Sequence, residues 1–383
     1  MAQKLVYGTA GYRGKAKLMD ELVRRTAFFA GLRARKMNKT IGLMITASHN
    51  PPEDNGIKVI DFDGGMLSID CEAELDAIVN DPGDYCFTIN DDCHSDASGA
   101  YVAVGTDTRQ SASVLLARAL EGLVMARAHV LVFPRHTTPQ LHYVVHKRNN
   151  PSAGNPLDYV LRFRNAFKNF IDLLNHSPAK TSPVYVDCAN GVGALWLTDY
   201  FPFEGLHVRN VNVDHFERLN ANCGADFVKL HLLLPFDDND FAMGARCASL
   251  DGDADRLIYY YTRRCSSTTD KPSLKFVLMD GDHIAALFAL YIQDLIGQLD
   301  EFLTRDGVKL TVGIVQTAYA NGGSGIFFRE KFGINPVITK TGVKYLERAA
   351  ADFDIGIYFE ANGHGSIHFS PKFHDFINTY EKK

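Results

Sequence analysis

A broad excess of positive charge is missing from this 383-residue chain: 40 lysines and arginines stand against 45 aspartates and glutamates, a net of -5 with histidine neutral. Without a positive face wide enough to neutralise a phosphate backbone, nucleic acid is not an expected partner, and a small anion would have to be held by local clamps. Cysteine is sparse and scattered. Seven cysteines, an odd number without close pairs, fit neither a disulfide framework nor a zinc site and read as reduced thiols of a cytoplasmic protein. No stretch approaches the length of a membrane span, and the amino terminus runs into charge and glycine without the apolar core of a signal peptide, so no membrane partner is expected. In that setting the glycosylation pattern at Asn38-Lys39-Thr40 carries little meaning.

What is present is length enough for two to four domains with a substantial core. The stretch that organises the chain is Ile45-Thr46-Ala47-Ser48-His49-Asn50-Pro51-Pro52. The apolar run Ile41 to Ile45 reads as a buried strand, and the two prolines end it, since proline has no amide hydrogen and restricts its predecessor. A second alternation, Ile57, Val59 and Ile60, follows Asn55-Gly56, so Ser48 is expected on a loop braced by strands, as a nucleophile requires. Lys58, between Ile57 and Val59, should face away from the core near that loop.

About two hundred residues on, Ser249 to Tyr261 contains Asp251, Asp253 and Asp255. In an extended segment residues two apart point the same way, so the three carboxylates can converge on one hard cation, and magnesium suits them. A calcium loop is excluded, because its sixth and twelfth positions need glycine and glutamate and here hold Arg256 and Thr262. With no cation, three aspartates between apolar flanks would repel one another. A third segment, Phe359 to Gly365, places Glu360 and Asn362 two apart, able to bridge vicinal hydroxyls from one side.

The rest alternates strand and helix, which predicts an α/β layered fold. Helices are expected over about Asp20–Met37, after Asp107-Thr108-Arg109, after Pro139, over Leu157–Asn175 and over His283–Leu299; strands over Tyr101–Gly105, His129–Phe133, Val184–Asp187, Thr311–Val315 and Ile355–Phe359. Residues 81–100 read as a surface loop, and Asn149–Pro156 and Ser177–Pro183 as composition breaks. Three domains are expected, 1–178, 179–280 and 281–383. Asn190 to Trp196 is a poor dinucleotide fingerprint, with Trp196 where the third glycine belongs, and reads as an ordinary strand-to-helix turn. Asp280-Gly281-Asp282 is better explained by helix capping than by a second metal, and Asn321 to Gly325 by a turn before a helix.

Taken together, the Ser48, triple-aspartate and Glu360 segments resemble the phosphoserine, metal and sugar-binding loops of the alpha-phosphohexomutases, which move a phosphoryl group between two oxygens of one sugar. Tyr7–Arg13, Thr137–Tyr143, Cys223–Lys229 and Val315–Gly322 agree as well, so the resemblance runs almost end to end. Ala254, where most members have glycine, and Glu-Ala-Asn-Gly-His-Gly at 360–365 are similar to the branch that acts on N-acetylglucosamine phosphates, whereas Thr106 departs from the usual basic residue.

The resemblance implies three successive mixed-sheet domains with the family's fourth, phosphate-gripping domain absent and the third incomplete at its end. It implies interconversion of N-acetylglucosamine 6-phosphate and 1-phosphate through phosphorylated Ser48 and a bisphosphate intermediate, feeding UDP-N-acetylglucosamine synthesis. Mg2+ would be held by Asp251, Asp253, Asp255 and an oxygen on Ser48, and a sugar 1,6-bisphosphate would prime the enzyme. His49 and Arg256 would position the phosphoryl group, Lys58 would move a proton and Arg13 would support the loop. Thr341, Gly342, Glu360, Ala361, Asn362 and His364 would contact the sugar. A sugar-phosphate binder without turnover, a phosphatase that loses phosphoserine to water, and a mutase of another hexose phosphate are the alternatives, and the oligomeric state is left open.

Overall fold

The computed structural model describes residues 5–81, 83, 99–150, 155, 157–173, 183–200, 205–236, 244–265 and 273–380. Most of the expected 81–100 loop and most of both composition breaks lie outside the described residues. The chain divides into two compact units, the first comprising residues up to Val228 with Leu233–Asp255, the second Lys229–Leu232 with Arg256 onward. Its strands form three mixed sheets.

In the first unit, β1 (Tyr12–Lys15), β2 (Ile41–Ile45), β3 (Asp54–Ile60), β4 (Tyr101–Thr106) and β5 (His129–Phe133) form one sheet in the order β1-β3-β2-β4-β5. β2, β4 and β5 run parallel, and β3 runs antiparallel to both its neighbours. The helices α1 (Asp20–Met37), α2 (Ile69–Asn80), α3 (Ala112–Met125), α4 (Thr138–Asn149) and α5 (Tyr159–Leu173) are interleaved with these strands or follow them. Val23, Ala27 and Ala30 of α1 and Leu115 and Leu123 of α3 share one core with Leu43, Ile45, Val102 and Val104. Leu141, Val144 and Val145 of α4 share a second with Met44, Ile60 and Ala103. With apolar neighbours on both faces, β2 has all five residues buried, which is what its unbroken apolar run demands. Burial of each Leu or Ile side chain there contributes about 1.5–3 kcal/mol.

β3 begins at Asp54, before the expected Ile57, because Tyr12–Lys15 pairs with it from Lys15↔Asp54 to Tyr12↔Ile57. Tyr12–Lys15, for which no strand was expected, is an edge strand. α4 opens on a capping box, with the Thr137 hydroxyl accepting from the Gln140 amide and the Gln140 side chain accepting from the Thr137 amide. Farther on come β6 (Val184–Asp187), α6 (Gly193–Tyr200), β7 (Leu206–Arg209), α7 (Ala225–His231) and β8 (Arg246–Leu250), with β6 parallel to both β7 and β8. Asn190 to Trp196 forms the expected strand-to-helix turn.

The second unit contains the antiparallel pair β9 (Leu257–Cys265) and β10 (Ser273–Met279), then α8 (Gly281–Arg305), β11 (Val312–Thr317), α9 (Gly322–Phe332), β12 (Val337–Thr339), α10 (Val343–Ala350), β13 (Ile355–Phe359), β14 (Gly365–Phe369) and α11 (Pro371–Tyr380). β12, β11 and β13 are parallel and β14 closes the sheet antiparallel to β13. Ala285, Ala289 and Ile292 of α8 pack with Ile314, Phe328, Ile355 and Ile357. Asp280 occupies the N-cap position of α8, but its side chain makes no cap bond; it pairs with Lys229 at 2.8 Å and His283 at 2.9 Å. Asp282 accepts from the Gln316 side chain and the Asn321 amide. Asn321 caps α9 through the Gly323 amide, as a turn before a helix should. Among the described residues no helix is long and apolar enough to cross a membrane.

Candidate active site

The chain leaves β2 through Thr46 and turns at Ser48, which has φ +52°, a left-handed conformation costing a non-glycine residue about 1–2 kcal/mol. Hydrogen bonds hold it there. The Ser48 amide donates to Thr46 Oγ1 at 2.9 Å, and Thr46 Oγ1 donates to Asp107 Oδ2 at 2.7 Å. Arg109, buried, donates to Asp107 Oδ2 through Nε at 3.1 Å, to the carbonyls of Pro51 and Asp54 through Nη1, and to those of Ser48 and Asn50 through Nη2. Gathering carbonyls inward is cheap here, because the peptide units of the Asn50 and Pro51 carbonyls end in proline nitrogens that have no hydrogen to strand. Burial raises the Asp107 carboxyl, and Arg109 with the donors around it pulls the other way.

Beyond β8 the aspartate segment is a turn, not the extended segment expected: the Ala254 amide donates to the Asp251 carbonyl and the Asp255 amide to Asp251 Oδ1, with Ala254 at φ +58°. The turn nonetheless brings carboxylate oxygens of Asp251, Asp253 and Asp255 within 4.8 Å of one another. Ser48 Oγ donates to Asp251 Oδ2 at 2.5 Å. Thr138, at the start of α4, donates its hydroxyl to Asp253 Oδ2 at 2.6 Å and its amide to the Asp253 carbonyl. Asp253 Oδ1 is buried and takes no hydrogen bond, an oxygen that a hard divalent cation would satisfy. The donor set fits magnesium.

Lys58 does not face away from the core. Its Nζ lies 3.1 Å from Asp253 Oδ2 and 3.0 Å from Asp255 Oδ2, and the residue is buried. β3 is an interior strand opposite Met44 of β2, so alternation gives it no solvent side. Burial alone would lower the ammonium pKa, but the charges of Asp253 and Asp255 outweigh it and leave it raised. His49 Nδ1 stands 3.5 Å from Ser48 Oγ and 3.4 Å from Arg13 Nη1, and its Nε2 is 3.6 Å from Asp226 Oδ2. The Ser48 loop, the aspartate turn, Lys58, His49 and Arg13 are thus assembled in the first unit.

In the second unit, Glu360 is buried, with Oε1 accepting from the Gly342 amide at 2.9 Å and Oε2 from Asn362 Nδ2 at 3.2 Å. Asn362 Oδ1 accepts from the His364 amide, and the Ala361 carbonyl from the Gly281 amide. Thr341, exposed, precedes buried Gly342. Burial, with the Glu360 carboxylate adding to it, pushes the Tyr319 phenol up to about 12, and half-buried Arg256 is near enough to act on the same group. Glu360, Gly342, Ala361, Asn362 and His364 therefore form one constellation, with Tyr319 beside it. Sequence reasoning missed Arg109, Thr46, Thr138 and Tyr319 as site residues. Asp107-Thr108-Arg109 was visible only as the start of a helix, and Thr137-Thr138 and Tyr319 only as parts of stretches that resemble the family, with no role of their own.

The model of phosphoglucomutase/phosphomannomutase alpha/beta/alpha domain I matches residues 27–85, and that of phosphoacetylglucosamine mutase AMG1 domain III matches 280–383. The Arabidopsis thaliana phosphoacetylglucosamine mutase is 41% identical over 396 residues, covering 99% of this chain and 69% of the relative. The chain belongs to the phosphoacetylglucosamine mutase family. The human phosphoacetylglucosamine mutase is 38% identical, covering 96% of this chain and 66% of its own length, so the chain spans about two thirds of such relatives. Among solved structures, an N-acetylglucosamine-phosphate mutase of the alpha-D-phosphohexomutase superfamily in its substrate complex has 36% identity and a TM-score of 0.86, over 99% of this chain and 71% of its own. Two structures of the Aspergillus fumigatus N-acetylphosphoglucosamine mutase, one with glucose 1,6-bisphosphate and one with GlcNAc-6P and magnesium, share 37% identity at TM-scores of 0.84 and 0.82, each over 98% of this chain and 70% of theirs.

Proposed function

We propose that this chain interconverts N-acetylglucosamine 6-phosphate and N-acetylglucosamine 1-phosphate in the cytoplasm, supplying the 1-phosphate to UDP-N-acetylglucosamine synthesis. The observation that carries the reading is the Ser48 hydroxyl, set 2.5 Å from Asp251 within the carboxylate cluster. In the first half-reaction the sugar O1 attacks the phosphorus on Ser48: the O1–P bond forms, the P–Oγ bond breaks, and the O1 proton ends on Oγ. The bound 1,6-bisphosphate then turns over, its 6-phosphoryl passes to Oγ, and the proton returns to the sugar O6. Lys58, His49 and Arg256 are assigned to the proton and the moving phosphoryl group, and Arg13 to the support of the Ser48 loop. Asp251, Asp253, Asp255 and a phosphoserine oxygen would hold Mg2+, which would supply positive charge against the transferring group. Glu360 and Asn362, with the Thr341-Gly342 turn, Ala361 and His364, are assigned to orienting the sugar. The same reading keeps three domains, 1–178, 179–280 and 281–383.

Intact mass after incubation with Mg2+ and glucose 1,6-bisphosphate, beside a Ser48→Ala control and a coupled assay for isomerised sugar phosphate, tests the proposal. Phosphorylation that depends on Ser48, with isomerisation, is the expected result. A chain that takes up no phosphoryl group refutes it, and release of free phosphate without isomerisation marks a phosphatase.

A further inference from the structure

We infer that Asn220 is a positioning residue for Ser48, an inference that rests on the phosphoserine reading above. Its Nδ2 donates to the Ser48 carbonyl at 2.8 Å and to the Asn50 carbonyl at 3.1 Å. Arg109 Nη2 grips the same two oxygens, at 3.0 Å and 2.9 Å. The two grips come from different parts of the chain: Arg109 follows β4, whereas Asn220 lies in the segment between β7 and α7, itself at φ +56° with its amide on the Ala189 carbonyl at 2.9 Å. Asn220 also lines the approach of the aspartate turn. A Cβ added to Gly252 would meet the Ser48 carbonyl at 2.7 Å and Asn220 Nδ2 at 3.1 Å, so the carboxamide sits where the two chemical loops touch.

The geometry explains why two grips are needed. Ser48 is held in a costly backbone conformation, and the direction of its Oγ towards Asp251 follows from that backbone. Arg109 alone fixes the loop to its own layer, and Asn220 sets the register of the loop against Gly252. Because Asn220 is only half-buried, water can replace its two hydrogen bonds when it is removed, and Arg109 keeps the loop folded. Loss of Asn220 therefore loosens the nucleophile without dismantling the fold, and misplacement of about 1 Å at a reacting group costs roughly 100-fold in rate.

Asn220→Ala and the isosteric Asn220→Asp, which turns an oxygen towards two carbonyls, are compared with the unaltered chain in three measurements. These are the single-turnover rate of Ser48 phosphorylation by glucose 1,6-bisphosphate with Mg2+, the split between KM and kcat for the sugar phosphate, and amide hydrogen exchange over residues 46–56 without substrate. The phosphorylation rate should fall about 10- to 100-fold in Asn220→Ala and further in Asn220→Asp, with KM within about threefold and faster exchange in the loop. A merely structural residue would lower Tm and leave kcat and loop exchange at ordinary temperature unchanged, and that result overturns the inference. If the unaltered chain takes no phosphoryl group, the mutase reading fails on its own, and unchanged loop exchange still decides against Asn220.

Discussion

Gly252→Ala is the sharpest single test of how closely the aspartate turn must approach Ser48. The added Cβ would lie 2.7 Å from the Ser48 carbonyl oxygen, 3.1 Å from Asn220 Nδ2 and 3.2 Å from Leu219 Cδ1. A carbon and an oxygen rest at about 3.3–3.6 Å, so the two loops must part by roughly 0.6 Å or more. Neither side yields readily: the Ser48 carbonyl is held by Arg109 and Asn220, and the Gly252 carbonyl accepts from the Val192 amide at 3.0 Å. Overpacking of this kind costs about 1–3 kcal/mol of stability. The same separation stretches the 2.5 Å contact between Ser48 and Asp251, for an expected fall in phosphoryl transfer of about 10- to 100-fold. Thermal unfolding and single-turnover phosphorylation are measured together, with Gly297→Ala as the control. Gly297 lies within α8 with nothing within 4 Å of the added Cβ, and its replacement should stabilise by about 0.5–1 kcal/mol. Gly252→Ala with a rate within twofold of the parent and an unchanged Tm would refute the reasoning.

Replacing Lys58 with Met leaves Asp253 and Asp255 without their cation, and a broken buried pair should cost about 3–5 kcal/mol in chelator, much of it restored by added Mg2+; equal melting of the two proteins in chelator would count against the ion pairs. Ala254→Gly relieves a left-handed alanine and should raise stability by about 0.5–1 kcal/mol, so a lower Tm would show that the methyl group's packing outweighs the backbone term. Asp354 is pushed up by burial, but the amide and hydroxyl of Thr311, Lys372 and Ser370 outweigh this and hold its carboxyl at about 2. Its folded pKa lies below the unfolded one, so its stabilisation is complete above about pH 4 and is lost as pH falls towards 2. Asp354→Asn should remove that part of the acid sensitivity, and superimposable Tm-against-pH curves would sink the assignment.

Where a side chain's environment follows from its neighbours in sequence, it was legible. α1 and β2 have the bounds that their apolar patterns predict, and Ser48 with the three aspartates stood out because prolines and alternating carboxylates are local signals. Lys58 was misplaced because alternation along β3 says nothing about whether the strand has a solvent face. β1 was missed for a related reason: an edge strand of four residues is made by its partner, 39 to 45 positions on, which no local pattern announces. Arg109 and Asn220 escaped notice because they bind main-chain carbonyls, which every residue carries and no motif advertises. The aspartate cluster was anticipated by the wrong geometry, since a turn with Ala254 in the left-handed region, not strand alternation, brings its carboxylates together.

The thiols of Cys188, Cys223 and Cys247 are buried and unpaired, on or beside β6 and β8 and ahead of α7. Burial pushes all of them up, Cys223 and Cys247 to about 12 and Cys188 well above its ordinary value, so the thiolate that reacts with alkylating reagents is almost absent in the native state at neutral pH. These positions are consequently built-in reporters: they stay silent while the first unit is closed and become labelled only when it opens. The rate at which these three positions acquire a label, followed by peptide mass, measures the opening of that unit without any engineered reporter and without reference to turnover.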